Sequence, residues 1–562
     1  MMQQLIECVP NFSEGRDMAI IKQITDAIEA VDGVHLLDVD PGKATNRTVV
    51  TFVGAPSAVI EAAFQAIKKA CEVIDMSRHS GEHPRMGATD VCPLIPVAGI
   101  SMEETAQWAA QLGERVGREI QLPVYLYEAA ATRPERKNLA TIRAGEYEGL
   151  PEKIIQPEWK PDFGPAQFNA KSGATVIGAR DFLVAYNVNL NTTSVRRANS
   201  VAFDIREKGR VLNDPKTGKP MKDAQGEPIR QEGWLKGVKA IGWFIEEYGI
   251  AQISMNITDT KLTALHEAFE ACCKSADQRG MRVTGSELVG LVPLKVMLDA
   301  GKYFLHKQER SAGVSEGELI KIAIKSMGLD EIAAFDPKQK IIEYNIANKN
   351  AGTNKRLIDK DLRAFADETA SESPAPGGGS ISAYVGALGA ALATMVANLS
   401  SHKRGWDERW AEFGAAAETG QHLKDALLRA VDDDTNAFNA IMSAFALPNA
   451  APEEKAARKQ AIQAATKLAI EVPAQVMRLA FDTFALVQQM AETGNPNSVT
   501  DAGVGALCAR AAVHGAFLNV KINASGLDDR DYAEKVLAEG YDLIAQADAL
   551  EKTILDIVNS KI

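Results

Sequence analysis

Ile381-Ser-Ala-Tyr-Val-Gly-Ala-Leu-Gly-Ala-Ala-Leu-Ala-Thr-Met-Val-Ala-Asn-Leu-Ser400 carries no charge from end to end. Its length is that of a membrane span. Its composition is not: Ala, Gly and Ser dominate, Thr394 and Asn398 interrupt it, and the Leu/Ile/Phe density of a lipid-facing helix is missing. A helix apolar on all sides yet built of small residues suits the centre of a tightly packed bundle, at a subunit interface. We therefore expect no membrane span. The runs 406–444, 452–493, 499–520 and 529–562 continue as long Ala-rich helical patterns, with Pro473 expected to kink or split the second of these. Residues 361–562 are predicted to form an all-α bundle.

Upstream the character changes. Residues 345–360 turn to Asn, Lys and Gly and read as a linker. Before it, strand-like stretches at 5–12, 35–40, 48–53, 91–97 and 124–127 alternate with helical patterns at 18–30, 57–76 and 101–120, predicting an α/β layered unit over residues 1–181. A second unit, residues 182–344, carries the order strand 182–190, helix 193–207, strands 238–244 and 251–257, helix 262–276 and strand 282–286. That βαββαβ order is what a ferredoxin-like unit needs. The Gly/Pro-rich stretch 209–233 reads as an excursion from it. The predicted fold class is thus multidomain: two α/β units followed by a helical bundle.

A chain of 562 residues is too long for one core. Its formal net charge of -12 argues against a general nucleic-acid binder. Six cysteines show no CxxC spacing and read as reduced core residues of a cytoplasmic protein. The first residues lack a basic segment followed by an apolar run, so no secretory signal is expected.

Chemistry concentrates in Ser77-Arg-His-Ser-Gly-Glu-His-Pro-Arg-Met-Gly-Ala-Thr-Asp90. Gly81 and Pro84 make it an ordered loop before a strand, a common setting for an active site. His79 and His83 are four apart, which aligns metal ligands only on a helix, so acid–base work is the better reading. One of the two is open to a structural role. Arg85 offers a two-pronged donor face to a carboxylate. Asn46 and Arg47, after the strand at 35–40, suggest anion binding, with a solvated turn as the competing reading. Ser373-Pro-Ala-Pro-Gly377-Gly378-Gly379-Ser380 opens an apolar helix and lets backbone N–H groups approach a ligand, or is a plain flexible cap. No Gly-Lys-Ser/Thr follows, so it is not a nucleotide loop. In Val431-Asp-Asp-Asp-Thr-Asn-Ala-Phe438 one acid is expected to be partly buried and able to carry a proton.

Taken together, these segments resemble the formiminotransferase-cyclodeaminase family. The resemblance runs end to end through Glu7-Cys-Val-Pro-Asn-Phe-Ser-Glu-Gly15, Thr45-Asn-Arg-Thr48, Gly81-Glu-His-Pro-Arg-Met-Gly87, Arg143-Ala-Gly-Glu-Tyr-Glu148, Asp162-Phe-Gly-Pro165, Leu288-Val-Gly-Leu-Val-Pro-Leu-Lys295 and Ala375-Pro-Gly-Gly-Gly-Ser380. It implies transfer of a formimino group from N-formimino-L-glutamate to N5 of tetrahydrofolate. Cyclisation to 5,10-methenyltetrahydrofolate with release of ammonia would follow in the helical domain. The family's transferase histidine falls on His83 and its cyclodeaminase acid on Asp434. Its folate loop falls on Gly164-Pro165-Ala166-Gln167-Phe168-Asn169-Ala170-Lys171-Ser172-Gly173. Arg47, Arg85 and Arg143 are weaker candidates for substrate carboxylates, with Asn46, Gly377, Gly378, Gly379 and Ser380 beside them. The resemblance implies polyglutamylated tetrahydrofolate as co-substrate, no metal, nucleotide or pyridoxal phosphate, and a homo-oligomer. The alternative keeps the transferase and makes the helical domain structural and inactive. A formyl donor in place of the formimino donor stays open.

Overall fold

The computed structural model describes residues 4–43, 45–81, 84–350 and 356–562. They pack into two compact units, Met1–Val296 with Met327–Asn350, and Met297–Ser326 with Ala351–Ile562. The first holds mixed sheets and the second is mostly helical.

In the first unit, β1 (Leu5–Cys8), β2 (Asn11–Phe12), β3 (Val34–Gly42), β4 (Arg47–Gly54), β5 (Thr89–Ala98), β6 (Val124–Glu128) and β7 (Thr175–Ala179) form one seven-stranded sheet. Strands β1 and β2 follow one another in the slot between β4 and β5, antiparallel to both. Strand β3 pairs along the outside of β4, and β5, β7 and β6 run parallel. Helices α1 (Met18–Glu29), α2 (Pro56–Val73) and α3 (Met102–Arg115) contribute to a single core with the sheet. Ile6, Cys8, Val50, Phe52, Cys92 and Leu94 point into that core. Because side chains alternate along a strand, Glu7, Val9, Arg47, Val49, Thr51, Val91 and Pro93 must face the other way. That second face is where the site lies. Two short helices, α4 (Leu139–Arg143) and α5 (Glu146–Lys153), follow β6.

The second sheet is built from β8 (Val184–Leu190), α6 (Val195–Ile205), the ribbon β9 (Arg210–Val211) and β10 (Arg230–Gln231), then β11 (Val238–Ile245), β12 (Ile250–Ile257), α7 (Leu265–Asp277) and β13 (Val283–Val289). Its strands lie in the order β11-β12-β8-β13, all antiparallel. The ribbon pairs only with itself, so stretch 209–233 does leave the sheet as expected. Asn199 of α6 ties helix to sheet, accepting from Gly242 N at 3.0 Å and donating to its carbonyl at 3.1 Å.

Two boundaries differ from the sequence reading. Helices α8 (Leu294–Lys307), α9 (Glu316–Met327), α10 (Pro337–Lys340) and α11 (Ile342–Asn350) follow β13. Most of α8 and α9 packs with the helical unit: Lys302 and His306 both reach Glu418 at 3.3 Å. Residues 345–350, read as the start of a linker, belong to α11, because Ile342 and Ile346 pack on Leu37 and Val53. Asn and Lys set the tone of that stretch, but an isoleucine pair at i, i+4 was enough to dock it.

The helical unit comprises α12 (Leu362–Thr369), α13 (Gly378–Ser401), α14 (Trp410–Phe445), α15 (Pro452–Thr493), α16 (Val499–Ala524) and α17 (Arg530–Asn559). Ala383, Ala387, Ala393 and Ala397 of α13 are buried in the core, so the uncharged helix serves as a packing element. A Cβ on Gly389 would stand 3.0 Å from the Gly505 carbonyl, and one on Gly420 would stand 2.1 Å from Thr394 Oγ1. Small residues are what allow these backbones to approach. Helix α15 is not split by Pro473, which lies buried within one continuous element.

Candidate active sites

The exposed face of the first sheet floors a cavity of about 850 Å³ in the first unit. Period-two alternation sends a polar set into it: Glu7 and Asn11, Asp38 and Asp40, Arg47 and Thr51, with Arg143, Tyr127, Arg180 and Lys239 on its walls. Two of the predicted arginines meet here. Asp90, at the start of β5, is fully buried, accepts from Met86 N at 3.0 Å and is ion-paired with Arg143. Arg47 Nη1 lies 3.6 Å from the same carboxylate, while its Nε donates to Asn11 Oδ1 at 2.8 Å. Burial pulls Arg47 down to about 10, partly opposed by Asp90 and reinforced by Arg143. One buried carboxylate therefore orients two guanidiniums that both line the cavity, an arrangement suited to an anionic substrate.

The other loop candidates have structural duties. His79 Nε2 lies 2.8 Å from the Asn46 carbonyl, which only accepts, so that nitrogen carries the proton. His79 Nδ1 then accepts from Arg85 Nε at 3.3 Å. With both nitrogens engaged, and burial lowering its basicity, His79 braces the loop in neutral form. Arg85 was expected to receive a carboxylate substrate. Its two prongs are instead taken by Glu148, at 2.7 and 2.9 Å, with Glu146 at 3.2 Å. Asn46, another expected substrate ligand, is a latch: its amide accepts from Gly15 N at 3.1 Å and donates to the Ser80 carbonyl at 3.0 Å. It holds φ +48, a left-handed conformation that Asn tolerates. His83 lies outside the described residues; its neighbour Pro84 lines the cavity.

The loop 164–173 is stitched to the histidine-bearing loop. Met86 O accepts from Ala174 N at 3.2 Å, Ser172 O accepts from Ala88 N at 2.9 Å, and Lys171 O accepts from Met76 N at 2.8 Å. Asn169 Oδ1 turns the loop by accepting from Lys171 N and Ser172 N. At Gly173, φ is +65 and a Cβ would stand 2.1 Å from Met86 O, so only glycine closes this clasp. Phe168 stacks at a tilt against Tyr147, centroids 5.4 Å apart. This loop borders the histidine loop and does not line the cavity among the described residues. Asp162, upstream, ties Leu126 N and the buried Arg136 together at 2.8 and 2.7 Å.

Glu7 was missed as a site residue. It is 2% exposed, and burial pushes its carboxyl up to about 7, with Arg180 opposing and Glu343 adding to the rise. The signal was present: an acid in the middle of an apolar strand, on the face opposite Ile6 and Cys8.

In the helical unit, the three acids of α14 separate by role. Asp432 accepts from Leu357 N at 2.6 Å, and Asp433 points outward. Asp434 lies against the glycine-rich start of α13: a Cβ on Gly379 would stand 2.1 Å from its Oδ1. Ser380 Oγ is 3.0 Å from Asp434 Oδ2, 2.9 Å from the Val431 carbonyl and 3.3 Å from Thr435 Oγ1. Burial raises the Asp434 carboxyl above its usual range, against hydrogen bonds from Ser380 that lower it. Gly378 faces the Asn519 amide, 3.4 Å from where a Cβ would be. Of the sequence-predicted Gly377, Gly378, Gly379 and Ser380, the last two are thus brought to Asp434, while Gly378 faces Asn519 and Gly377 lies nearest the Pro374 carbonyl. A separate hollow of about 470 Å³ near Thr394, Asn398 and His402 does not include it.

Three family descriptions match this chain: the formiminotransferase domain, N-terminal subdomain, over residues 5–180; the formiminotransferase domain over 185–347; and formiminotransferase-cyclodeaminase over 361–541. The formimidoyltransferase-cyclodeaminase of Mus musculus is 43% identical over 534 residues, covering 95% of each chain. The glutamate formimidoyltransferase of Streptococcus pyogenes is 41% identical over 308 residues, 55% of this chain and 95% of its own. The methenyltetrahydrofolate cyclohydrolase of Methylorubrum extorquens is 42% identical over 204 residues, 36% of this chain and 98% of its own.

Proposed function

Because the chain belongs to the formiminotransferase-cyclodeaminase family, we propose that it runs two folate reactions at the two places just described. It is a bifunctional enzyme. In the first unit the formimino group moves from N-formimino-L-glutamate to N5 of tetrahydrofolate. In the helical unit the 5-formimino product closes to 5,10-methenyltetrahydrofolate and ammonia leaves.

We assign the transferase acid–base role to His83. N5 must lose a proton as it attacks the formimino carbon, and the departing glutamate amine must gain one; a single imidazole near neutral pKa suits both. Arg47 and Arg143, steered by Asp90, are assigned to substrate carboxylates. The loop 164–173 is assigned to the folate on the strength of its clasp to the histidine loop at Gly87 and Gly173. Asp434 is assigned as the acid that protonates the leaving ammonia. The observation that carries this reading is the meeting of Asp434 with the glycine-rich start of α13: a shielded carboxyl and a backbone that admits a ligand.

The finer structural readings rest on similar support. The order β11-β12-β8-β13 with α6 and α7 favours a ferredoxin-like second subdomain. Exposed Leu388, Met395 and Leu399 on α13, and Leu507, Leu518 and Ile522 on α16, favour self-association of the helical unit. A time course of glutamate, ammonia and methenyl-folate absorbance from one purified preparation tests the function. Glutamate and ammonia are expected in equal final amounts; glutamate without ammonia would leave the helical unit inactive.

A further inference from the structure

Ser380 is fully buried and has a single hydroxyl proton, yet two oxygen atoms crowd it at hydrogen-bond distance: the Val431 carbonyl at 2.9 Å and Asp434 Oδ2 at 3.0 Å. The carbonyl has no proton to give. If Asp434 were ionised, both neighbours would be pure acceptors, and one close oxygen pair would face lone pair to lone pair with little water to separate them. Thr435 Oγ1, at 3.3 Å, can donate to Ser380 but does not remove that conflict. A protonated Asp434 satisfies every contact without a shared proton, and it turns round the Ser380 hydroxyl bond that would otherwise favour the anion: Asp434 donates to Ser380 Oγ, and Ser380 donates to Val431. We propose that Ser380 is a positioning residue for the cyclodeaminase reaction, holding Asp434 in its acid form by committing its own proton to the Val431 carbonyl.

The proposal rests on the assignment of Asp434 to ammonia release. Asp432 and Asp433 flank Asp434 in the sequence of α14, and from α13 the Ser380 backbone N–H bonds the carboxyl and favours the anion. Burial pulls the other way and sets the direction of the net shift. The chemistry closes. N10 of the folate bonds to the formimino carbon, and the bond from that carbon to the formimino nitrogen breaks with its electron pair on nitrogen. The formimino nitrogen enters as the protonated amidinium, =NH2+, so a single further proton, from Asp434, completes ammonia, and the resulting carboxylate takes the proton that N10 gives up. The amidinium's positive charge passes to the methenyl product, and Asp434 ends as it began.

The test is the pH profile of cyclisation of supplied 5-formiminotetrahydrofolate by the full-length enzyme, for the wild type, Ser380→Ala and Asp434→Asn. The wild-type rate should fall as pH rises through the ionisation of Asp434. In Ser380→Ala the acid form loses its acceptor, so this fall should move down by about one pH unit, leaving cyclisation roughly tenfold lower above both values. A shift upward, which a hydroxyl donating to a carboxylate would give, or no shift, overturns the inference. Infrared difference spectra of wild type against Asp434→Asn near neutral pH supply an independent reading. A protonated-carboxyl band is expected, and a carboxylate signature in its place refutes the proposal. Undiminished cyclisation by Asp434→Asn would instead sink the assignment of Asp434 itself.

Discussion

Glu7 holds its proton far above the ordinary carboxylate range because burial on the sheet face penalises the charged form more than Arg180 rewards it. The sign of the consequence follows. Between about 4.5 and 7 the folded chain keeps a proton that the unfolded chain has lost, so stability declines as pH rises through that window, by about 3 kcal/mol, and is flat above it. Glu7→Gln should remove this slope and raise the denaturation midpoint of the first unit at pH 8, while matching the wild type at pH 4. Urea titrations at the two pH values check it. At Arg143 the issue is shape, not charge. Lysine keeps the positive charge but loses the fork that Asp90 orients, so Arg143→Lys should raise KM for the glutamate donor about tenfold with a smaller change in kcat. Equal KM values would remove Arg143 from the binding role. Much of this was legible beforehand: Arg47 and Arg143 reach the cavity and Asp434 reaches the glycine-rich helix start. What misled the reading of Arg85 and Asn46 was invisible in one dimension, since their partners Glu148 and Gly15 lie 63 and 31 residues away.

Among the elements, the clasp between the histidine loop and the loop 164–173 is the one whose failure has a sharp signature. Gly173→Ala places a methyl against Met86 O in a left-handed conformation, so the two loops must part or the backbone must strain. Transfer should fall at least tenfold while cyclisation of supplied 5-formiminotetrahydrofolate persists; equal losses of both would mean that the change unfolds the chain. Long patterned elements were the readable ones. The strands at 35–40, 48–53 and 91–97 and the five long bundle helices appear with bounds shifted by at most a few residues, while the short α12 was not read. Strand β7, Thr-Val-Ile-Gly-Ala, went unread because five residues buried throughout show no alternation and no helical period. At Pro473 the expected kink or split does not take the form of a split: a helix packed along its length can carry a proline that would break an isolated one.

At the scale of the whole molecule, the two candidate sites stand on separate cores: Asp90 with its arginines on the sheet unit, Asp434 inside the helical one. Among the described residues, no titrating group of one belongs to the other. His83→Ala should therefore abolish glutamate release while cyclisation of supplied 5-formiminotetrahydrofolate survives, and Asp434→Asn should do the reverse. Mixing the two purified variants then asks whether the intermediate leaves the protein that made it. Given N-formimino-L-glutamate and tetrahydrofolate, the mixture should release ammonia only after a lag in which free 5-formiminotetrahydrofolate builds up, because transfer proceeds on one protein and closure on the other. Stopped samples assayed for glutamate and ammonia give the lag directly. Loss of both activities from either single variant, in a chain that keeps its far-ultraviolet circular dichroism, would mean that one site serves both reactions. The partition of chemistry between sheet and bundle would then have to be abandoned.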